Sequence, residues 1–433
     1  MSTSADGGIG YWEATAIGIG GMVGGGIFAV LGLSVELTGG GSPLAFLIAG
    51  CVALVTSYSY ARLSVTYPSQ GGTVAFLDRA FGPGLLTGSA NILLWISYIV
   101  MLSLYAYAFG SYGATFFPAD SQPLWKHILI TGSVLGITGL NLLNARLIGK
   151  AEDWIVLIKL IILGLLIAVG IWGVDSSRLA PSTWSSPVHL VAGGMIIFLA
   201  YEGFELIANT AQDVRNPAKT LPRAFYSSVG FVILLYVLVA IVTVGSLPVA
   251  EIVHARDYAL AEAARPTLGQ AGFILIAIAA MLSTASAINA TIYGAARLSY
   301  VIAKDGELPS MLEKKVWGRP IEGLLITSAL TLIVANLTDL SSMSMMGSAG
   351  FLFIFAAVNA ANVTLADSTQ SWRSLSLIGV GLCLGALGSL LWQTAHTSPG
   401  QLWFLFIMAG SAFLIETAFR VTTGRTLRLS KTQ

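Results

Sequence analysis

Three ionisable side chains stand in stretches that are otherwise apolar. Lys159 lies in the segment 154–163, WIVLIKLIIL, with no acidic residue within one helical turn. Glu202 and Glu205 lie on either side of Gly203 in the segment FLAYEGFE. Because a charge inside a membrane is costly, an ionisable residue in a membrane span is a functional hypothesis by default. A lysine there can gain and lose a proton, and a carboxylate can hold a proton or attract a cation.

Each of these residues also has a structural interpretation. Lys159 follows Lys150 by nine residues, which places it roughly 13 Å deeper along a helix. That is far for an ammonium group to snorkel, but such a lysine can also pair with backbone carbonyls as a strut. Glu205 can cap the start of a resumed helix, where a carboxylate complements the dipole. Glu202 either has a similar structural role or faces a cavity.

A run of glycines is the second candidate for chemistry. The segment 18–26, GIGGMVGGG, lies inside an apolar stretch that is long enough to cross a bilayer. Glycine costs roughly 1 kcal/mol relative to alanine in a helix interior, so the run predicts a broken helix. We expect one half-helix to end near 19–22 and the next to begin near Gly26. In a membrane, such a break is tolerated only where it lines a polar cavity. The alternative is that the glycines merely allow close helix packing.

A break of this kind can bind both ends of a zwitterion. The amides of residues 24–26, at a half-helix N-terminus, can bind an anion without any cationic side chain. Carbonyls of 19–22, and of 199–202 at a second break, can accept hydrogen bonds from an ammonium group. An α-amino acid has both charges. The residues predicted to bind the substrate are Ile19, Met22, Val23, Gly24, Gly25, Gly26, Leu199, Glu202, Gly203 and Ser286.

Small polar side chains in the segment 281–289, MLSTASAIN, are candidates to complete the site. Ser283, Ser286 and Asn289 are spaced by three residues, so one helix face can present all of them. The alternative for Ser286 and Asn289 is ordinary hydrogen bonding between neighbouring helices.

The amino-acid composition indicates which kind of secondary structure must position these groups. Hydrophobic residues make up 55% of the 433 residues and charged residues only 10%, whereas a soluble domain has about 25% charged residues. The sequence therefore predicts an all-α polytopic membrane protein. The net charge of +1 says nothing about nucleic acid, but the sequence has no basic run of the kind that binds it, so no nucleic-acid partner is expected. The predicted twelve spans are 11–38, 43–66, 84–114, 126–144, 150–173, 188–212, 221–246, 270–302, 322–338, 344–366, 374–393 and 401–421.

The distribution of cations predicts the orientation. Seventeen of the 22 Lys and Arg residues fall in segments on one side of the predicted spans, and four fall on the other, with Lys159 inside a span. Cytoplasmic loops are enriched in Lys and Arg. We therefore expect a plasma-membrane protein with cytoplasmic tails at 1–10 and 422–433.

The two breaks lie about equally far into the first and sixth spans. Matching broken helices in two halves are the sequence sign of an inverted repeat with a binding site at the membrane midplane. The predicted repeats are 11–173 and 188–366, five helices each, and 374–421 forms two accessory helices. This division depends on topology, because the two halves share no evident residue identity.

Several motifs resemble the amino acid-polyamine-organocation superfamily. They are the glycine-rich break before Ile27 and Phe28, the break at 201–204, YEGF, and the loop 213–224, DVRNPAKTLPRA. More narrowly, the segments 157–164, LIKLIILG, 289–294, NATIYG, and 303–309, AKDGELP, continuing to 315–317, KVW, are similar to ApcT-type proton-coupled transporters. The resemblance extends over nearly the whole chain.

The resemblance implies the LeuT-type fold and sodium-independent symport of amino acids with protons. It also implies that the helix 5 lysine occupies the place where sodium-coupled relatives hold an ion. Transferred to this chain, it places Lys159 beside the carbonyl of Gly20 and the hydroxyl of Ser283. The sequence departs from the family pattern at Glu202, where an apolar residue is expected, and this leaves the substrate range open. A carboxylate in the cavity can shift the preference toward cationic amino acids or amines, whereas the expected best substrates are small or medium neutral amino acids.

The leading hypothesis is a secondary active transporter that takes up amino acids with protons by alternating access. When protonated, Lys159 can bind carbonyls at the negative end of the first half-helix, and a proton then biases which side of the membrane the site opens to. The rivals are an exchanger or uniporter of cationic amino acids or polyamines, and a non-transporting nutrient sensor. No nucleophile and base pair, metal-ligand set or phosphate loop accompanies the motifs, so no enzyme activity and no cofactor are predicted. The expected partners are the substrate, protons and the bilayer, with the oligomeric state left open.

Overall fold

The computed structural model describes residues 8–143, 145–304, 308, 312 and 321–423, and within these ranges regular structure is helical. The α-helices are α1 (Tyr11–Met22), α2 (Gly26–Thr38), α3 (Ser42–Thr66), α4 (Thr73–Phe81), α5 (Leu85–Ala114), α6 (Gln122–Leu143), α7 (Ala145–Gly170), α8 (Pro187–Ile196), α9 (Pro217–Ser246), α10 (Val249–His254), α11 (Ala259–Lys304), α12 (Ile321–Leu337), α13 (Leu340–Thr364), α14 (Ala366–Thr369), α15 (Arg373–Thr397) and α16 (Leu402–Thr423). Two 3₁₀ segments, Phe198–Tyr201 and Phe204–Asp213, follow α8 after a bend.

The all-α polytopic prediction is confirmed. Eight helices in the described ranges are long and apolar enough to cross a membrane, and two bent pairs raise the number to ten. The two other predicted spans are occupied by α6, of 22 residues, and by α12, a shorter apolar helix of 17 residues. A helix or a bent pair therefore stands at each of the twelve predicted positions. The division into inverted repeats stays a prediction.

Both predicted breaks are present. The axes of α1 and α2 differ by 46°, with residues 23–25 between them, and α8 and the segment Phe198–Asp213 differ by 52°. At the second break Gly203 has a φ of 115°, a conformation that side chains with a Cβ rarely adopt. Each break interrupts the helix in the middle of its span, as the sequence predicts.

Some elements lie outside the predicted spans. The nine-residue α4 and the six-residue α10 are too short to cross a bilayer and were not predicted. α11 begins eleven residues before the predicted span at 270 and kinks at Gly269, where φ is 64°. The part of α11 after this kink corresponds to the predicted eighth span.

The helices differ in how deeply they are buried. In their apolar windows, α5 and α13 are 83% buried inside the protein, whereas α7 and α16 are only 22% buried. α5 and α13 therefore form the centre of the bundle, and α7 lies at its edge with an apolar surface suited to lipid. Lys159 on α7 is nevertheless only 1% exposed, so its side chain points inward from a peripheral helix.

Candidate functional site

The two broken helices contact each other at their glycines. A Cβ added to Gly21 would lie 2.7 Å from the carbonyl oxygen of Gly203, and one added to Gly26 would lie 2.8 Å from the Cα of Ala200. A Cβ on Gly203 would be 2.4 Å from the carbonyl carbon of Gly21. Only glycine allows this backbone contact, so the glycines serve both packing and the break.

Free backbone amides follow the first break. Among the described hydrogen bonds, none is donated by the amides of residues 24–28, as expected for the first turn of a helix that has no side-chain cap. The ring of Tyr105 from α5 lies over them, because a Cβ on Gly25 would overlap this ring. The Tyr105 hydroxyl has no hydrogen-bond partner within the described chain and lies beside Gly24. The predicted anion site thus consists of unpaired donors under an aromatic ring.

Tyr236 on α9 links the two breaks and was not predicted. Its hydroxyl lies 2.6 Å from the carbonyl oxygen of Met22 and 3.1 Å from that of Ala200, one on each broken helix. The side chain is fully buried. A tyrosine in an apolar span gives no sequence sign of such a role, because only the fold brings α9 between the two breaks.

Several carbonyls that we expected to bind a substrate ammonium are already engaged. The carbonyl of Ile19 accepts a hydrogen bond from the amide of Val23 at 2.8 Å, and that of Leu199 accepts one from the amide of Glu202 at 3.1 Å. Together with the contacts of Tyr236, these bonds occupy much of the predicted cation site. The carbonyl of Gly21 accepts no hydrogen bond in the described chain, so it is the acceptor that remains at the first break.

Lys159 reaches the end of α1. Its Nζ donates to the carbonyl oxygen of Gly20 at 3.3 Å, one turn before the break. α7 approaches closely here, because a Cβ on Gly20 would lie 3.2 Å from Cγ2 of Val156. The lysine therefore connects a peripheral helix to the broken helix at the carbonyl named by the resemblance.

The polar residues of α11 differ in their contacts. The hydroxyl of Ser283 lies 3.1 Å from the carbonyl oxygen of Val23 and also contacts that of Gly24, so α11 is attached to the break itself. Asn289 accepts a hydrogen bond at 2.8 Å from the side chain of Asn141 on α6, which is the interhelix role considered as its alternative. Ser286 is buried at 8% exposure.

The two carboxylic acids lie together at the second break. Glu202 and Glu205 are 2% and 1% exposed, so both acids are buried at the second break. One oxygen of Glu205 accepts from the hydroxyl of Tyr98 at 2.9 Å, and the other accepts from the amide of Gly203 at 2.8 Å. Glu205 thus has the capping contact expected of it, and in addition a buried carboxyl neighbour.

Comparison with known proteins identifies the family of this chain. A family model described as amino acid permease matches residues 9–415. The chain belongs to the amino acid permease family. It is 37% identical to an uncharacterized protein of Methanocaldococcus jannaschii, over 96% of each chain. It is 33% identical to the inner membrane transport protein YbaT of Escherichia coli, over 94% of this chain and 95% of that one. It is also 24% identical to the cationic amino acid transporter 7, chloroplastic, of Arabidopsis thaliana, over 91% of this chain and 72% of the relative. The permease is accordingly a membrane transporter and not an enzyme.

The permease also has an ion-pair network on the side predicted to be external. Arg256 pairs with Glu36 of α2 at 3.0 Å, and Asp257 pairs with Lys126 of α6 at 2.8 Å. Tyr107 of α5 donates to Asp257 at 3.0 Å, and its ring lies 3.6 Å from the Lys126 ammonium. The turn Arg256–Tyr258 thereby connects α2 to α5 and α6 on this side of the protein.

Proposed function

We propose that this permease takes up amino acids together with protons by alternating access, with Lys159 as the protonation site. The observation that supports this proposal is the contact between the buried ammonium group and the carbonyl of Gly20, at the end of α1. The contact joins the proton-binding group to the broken helix that supplies the substrate site.

The proton changes the strength of this contact. A protonated lysine has three donors and a full charge, and the carbonyls at a helix C-terminus are the negative end of its dipole. A neutral amine makes a weaker hydrogen bond, so the attachment of α7 to α1 depends on the proton. If the outward-open and inward-open states bind the proton with different affinities, the proton gradient drives the transport cycle.

In this proposal, backbone groups on either side of the first break hold the substrate. Its carboxylate binds the free amides of Gly24 and Gly25, where the N-terminus of α2 favours an anion. Its ammonium group binds the carbonyl of Gly21, a few residues before. The ring of Tyr105 lies against Gly25 and its hydroxyl lies beside Gly24, so this side chain covers the carboxylate end of the site. These contacts recognise the α-amino and α-carboxyl groups, which all amino acids share. The substrate side chain is recognised by the residues around the second break.

Uptake into proteoliposomes with an imposed pH gradient tests the proposal. Wild-type protein is expected to accumulate a labelled neutral amino acid when the outside is acidic, and Lys159→Ala is expected to lose this accumulation. Lys219→Ala is the matched control, because Lys219 is exposed at the start of α9. Accumulation by Lys159→Ala that still follows the pH gradient would contradict the assignment of the lysine.

A second candidate is exchange or facilitated transport of cationic amino acids or polyamines. Two observations favour it: the acidic pair beside the break, and the printed name of the Arabidopsis relative. The same vesicles separate the two functions. An exchanger shows no accumulation under the pH gradient, but its uptake rises when the vesicles are preloaded with substrate.

A further inference from the structure

Two arginines lie at the same level on the neighbouring helices α3 and α9. Three contacts define the antiparallel register of these helices: Phe46 with Tyr236, Gly50 with Ile233, and Tyr60 with Phe225. The ring centroids of the first and last pairs are 5.8 Å and 6.2 Å apart. Continued to the helix ends, this register places Arg62 of α3 level with Arg223 of α9. Both lie on the side predicted to be cytoplasmic.

Aromatic side chains surround the two arginines. The Arg62 guanidinium lies over the ring of Tyr58, 5.5 Å from its centroid. The hydroxyl oxygen of Tyr58 accepts a hydrogen bond from the amide of Trp372 at 2.7 Å, which brings the start of α15 to the same place. Trp372 is 69% exposed, and Tyr226, on α9 next to Arg223, is 38% exposed. Exposed Trp and Tyr at helix ends are typical of the lipid headgroup level. These five residues form the basic-aromatic cluster.

The charges of this cluster are not neutralised by the protein. The side chains of Arg62 and Arg223 form no ion pair and no hydrogen bond within the part of the chain that the structure describes. The side predicted to be external differs, because its four cations all have acidic partners: Lys126, Arg178, Arg256 and Arg265. A guanidinium group can donate two parallel hydrogen bonds to a phosphate. The cluster therefore offers two phosphate-binding groups to the lipid headgroup region.

An apolar surface leads from the arginines toward the middle of the membrane. Gly230 on α9 lies one helical turn beyond Tyr226, and a Cβ there would meet no atom within 4 Å. The register of the two helices places Leu54 of α3 at the level of Gly230, and both Leu54 and Leu234 are exposed. The missing side chain thus leaves open space among apolar neighbours, which suits an acyl chain.

We propose that the basic-aromatic cluster binds one anionic phospholipid of the surrounding leaflet. The lipid phosphate lies between Arg62 and Arg223, and Trp372 contacts the headgroup. One acyl chain lies against Gly230. The lipid thereby joins the end of α3 to the start of α9, whose Tyr236 contacts both breaks. This inference does not depend on the transported substrate or on the protonation of the lysine.

Native mass spectrometry of the purified permease tests the lipid site. The probes are phosphatidylglycerol and phosphatidylcholine with identical acyl chains, which differ in net charge. Wild type is expected to bind phosphatidylglycerol about thirtyfold more tightly, since each basic residue near an anionic lipid contributes about fivefold. The double variant Arg62→Gln with Arg223→Gln is expected to bind the two lipids equally. Arg79→Gln is the matched control, because Arg79 also lies over a tyrosine ring, at 5.2 Å, but on α4, which packs against α5 and α13.

A second variant tests the acyl chain and leaves both arginines in place. Gly230→Leu fills the open space without meeting another side chain, and it is expected to weaken phosphatidylglycerol binding several-fold. It also decides the question if the double variant does not fold. Glycerol phosphate, which carries the phosphate without acyl chains, is expected not to displace the lipid at equal concentration.

Three results would overturn the proposal of a lipid site. They are equal binding of the two lipids by wild type, an unchanged preference in the folded double variant, and wild-type lipid binding by Gly230→Leu. Displacement by glycerol phosphate at equal concentration would instead assign the arginines to a free phosphate compound and contradict the lipid. None of these results bears on amino acid uptake, so they leave the proposed function to its own test.

Discussion

The contact between the two breaks yields a steric prediction for Gly21→Ala. The new Cβ would lie 2.7 Å from the carbonyl oxygen of Gly203, about 0.7 Å short of ordinary van der Waals contact. The obstacle is backbone, so no side chain can rotate away, and the two broken helices must separate. Overpacking of this kind typically costs about 1–3 kcal/mol.

The cost is expected to appear in substrate binding, because the site is built from both breaks. If the whole cost falls on the closed, substrate-bound state, affinity drops by about 5–150-fold. Equilibrium binding of a labelled amino acid to purified protein measures this effect, and thermal unfolding in detergent shows whether the fold persists.

Gly164→Ala is the matched control for this experiment. Gly164 lies in α7, and a Cβ there would meet no atom within 4 Å. Alanine is the better helix former by about 1 kcal/mol, so the control should bind normally and be at least as stable as wild type. Wild-type affinity in folded Gly21→Ala would refute the claim that the two breaks contact each other during binding.

Two further substitutions test other parts of the site. Tyr236→Phe removes the hydroxyl shared by the two breaks and is expected to weaken substrate binding by roughly tenfold, since an unsatisfied buried group costs about 1–3 kcal/mol; the exposed Tyr293→Phe is its control, and equal binding by both variants would exclude the link. Asp257→Asn is expected to open the external side, measured as a several-fold faster reaction of Val30→Cys, in a Cys51→Ala background, with a membrane-impermeant thiol reagent applied from outside. An unchanged rate would show that the ion pairs do not hold that side closed.

The sequence predicts the breaks well because glycine acts locally. Six glycines between 18 and 26 cannot maintain a continuous helix at low cost, and the structure ends α1 at Met22 and begins α2 at Gly26. Lys159 was identifiable for a similar reason, because a charge in an apolar segment is conspicuous. Its contact with Gly20 follows from the family resemblance and not from spacing.

The contacts between distant segments could not be predicted in this way. Tyr236 has the composition of an ordinary span residue, and nothing in its neighbours indicates that it lies between two breaks. Arg256 and Asp257 look like any charged loop until the fold places Glu36 and Lys126 beside them. Tertiary packing decides these contacts, and packing is encoded by the whole chain.

Proton movement coupled to amino acid entry tests the central claim most directly. Proteoliposomes containing a trapped pH indicator, with no initial pH gradient, receive a neutral amino acid on the outside. Wild-type protein is expected to acidify the lumen as the substrate enters, and Lys159→Ala is expected to bind substrate without acidification. Lumenal acidification by Lys159→Ala, at the wild-type ratio of protons to substrate, would contradict the role of the buried lysine.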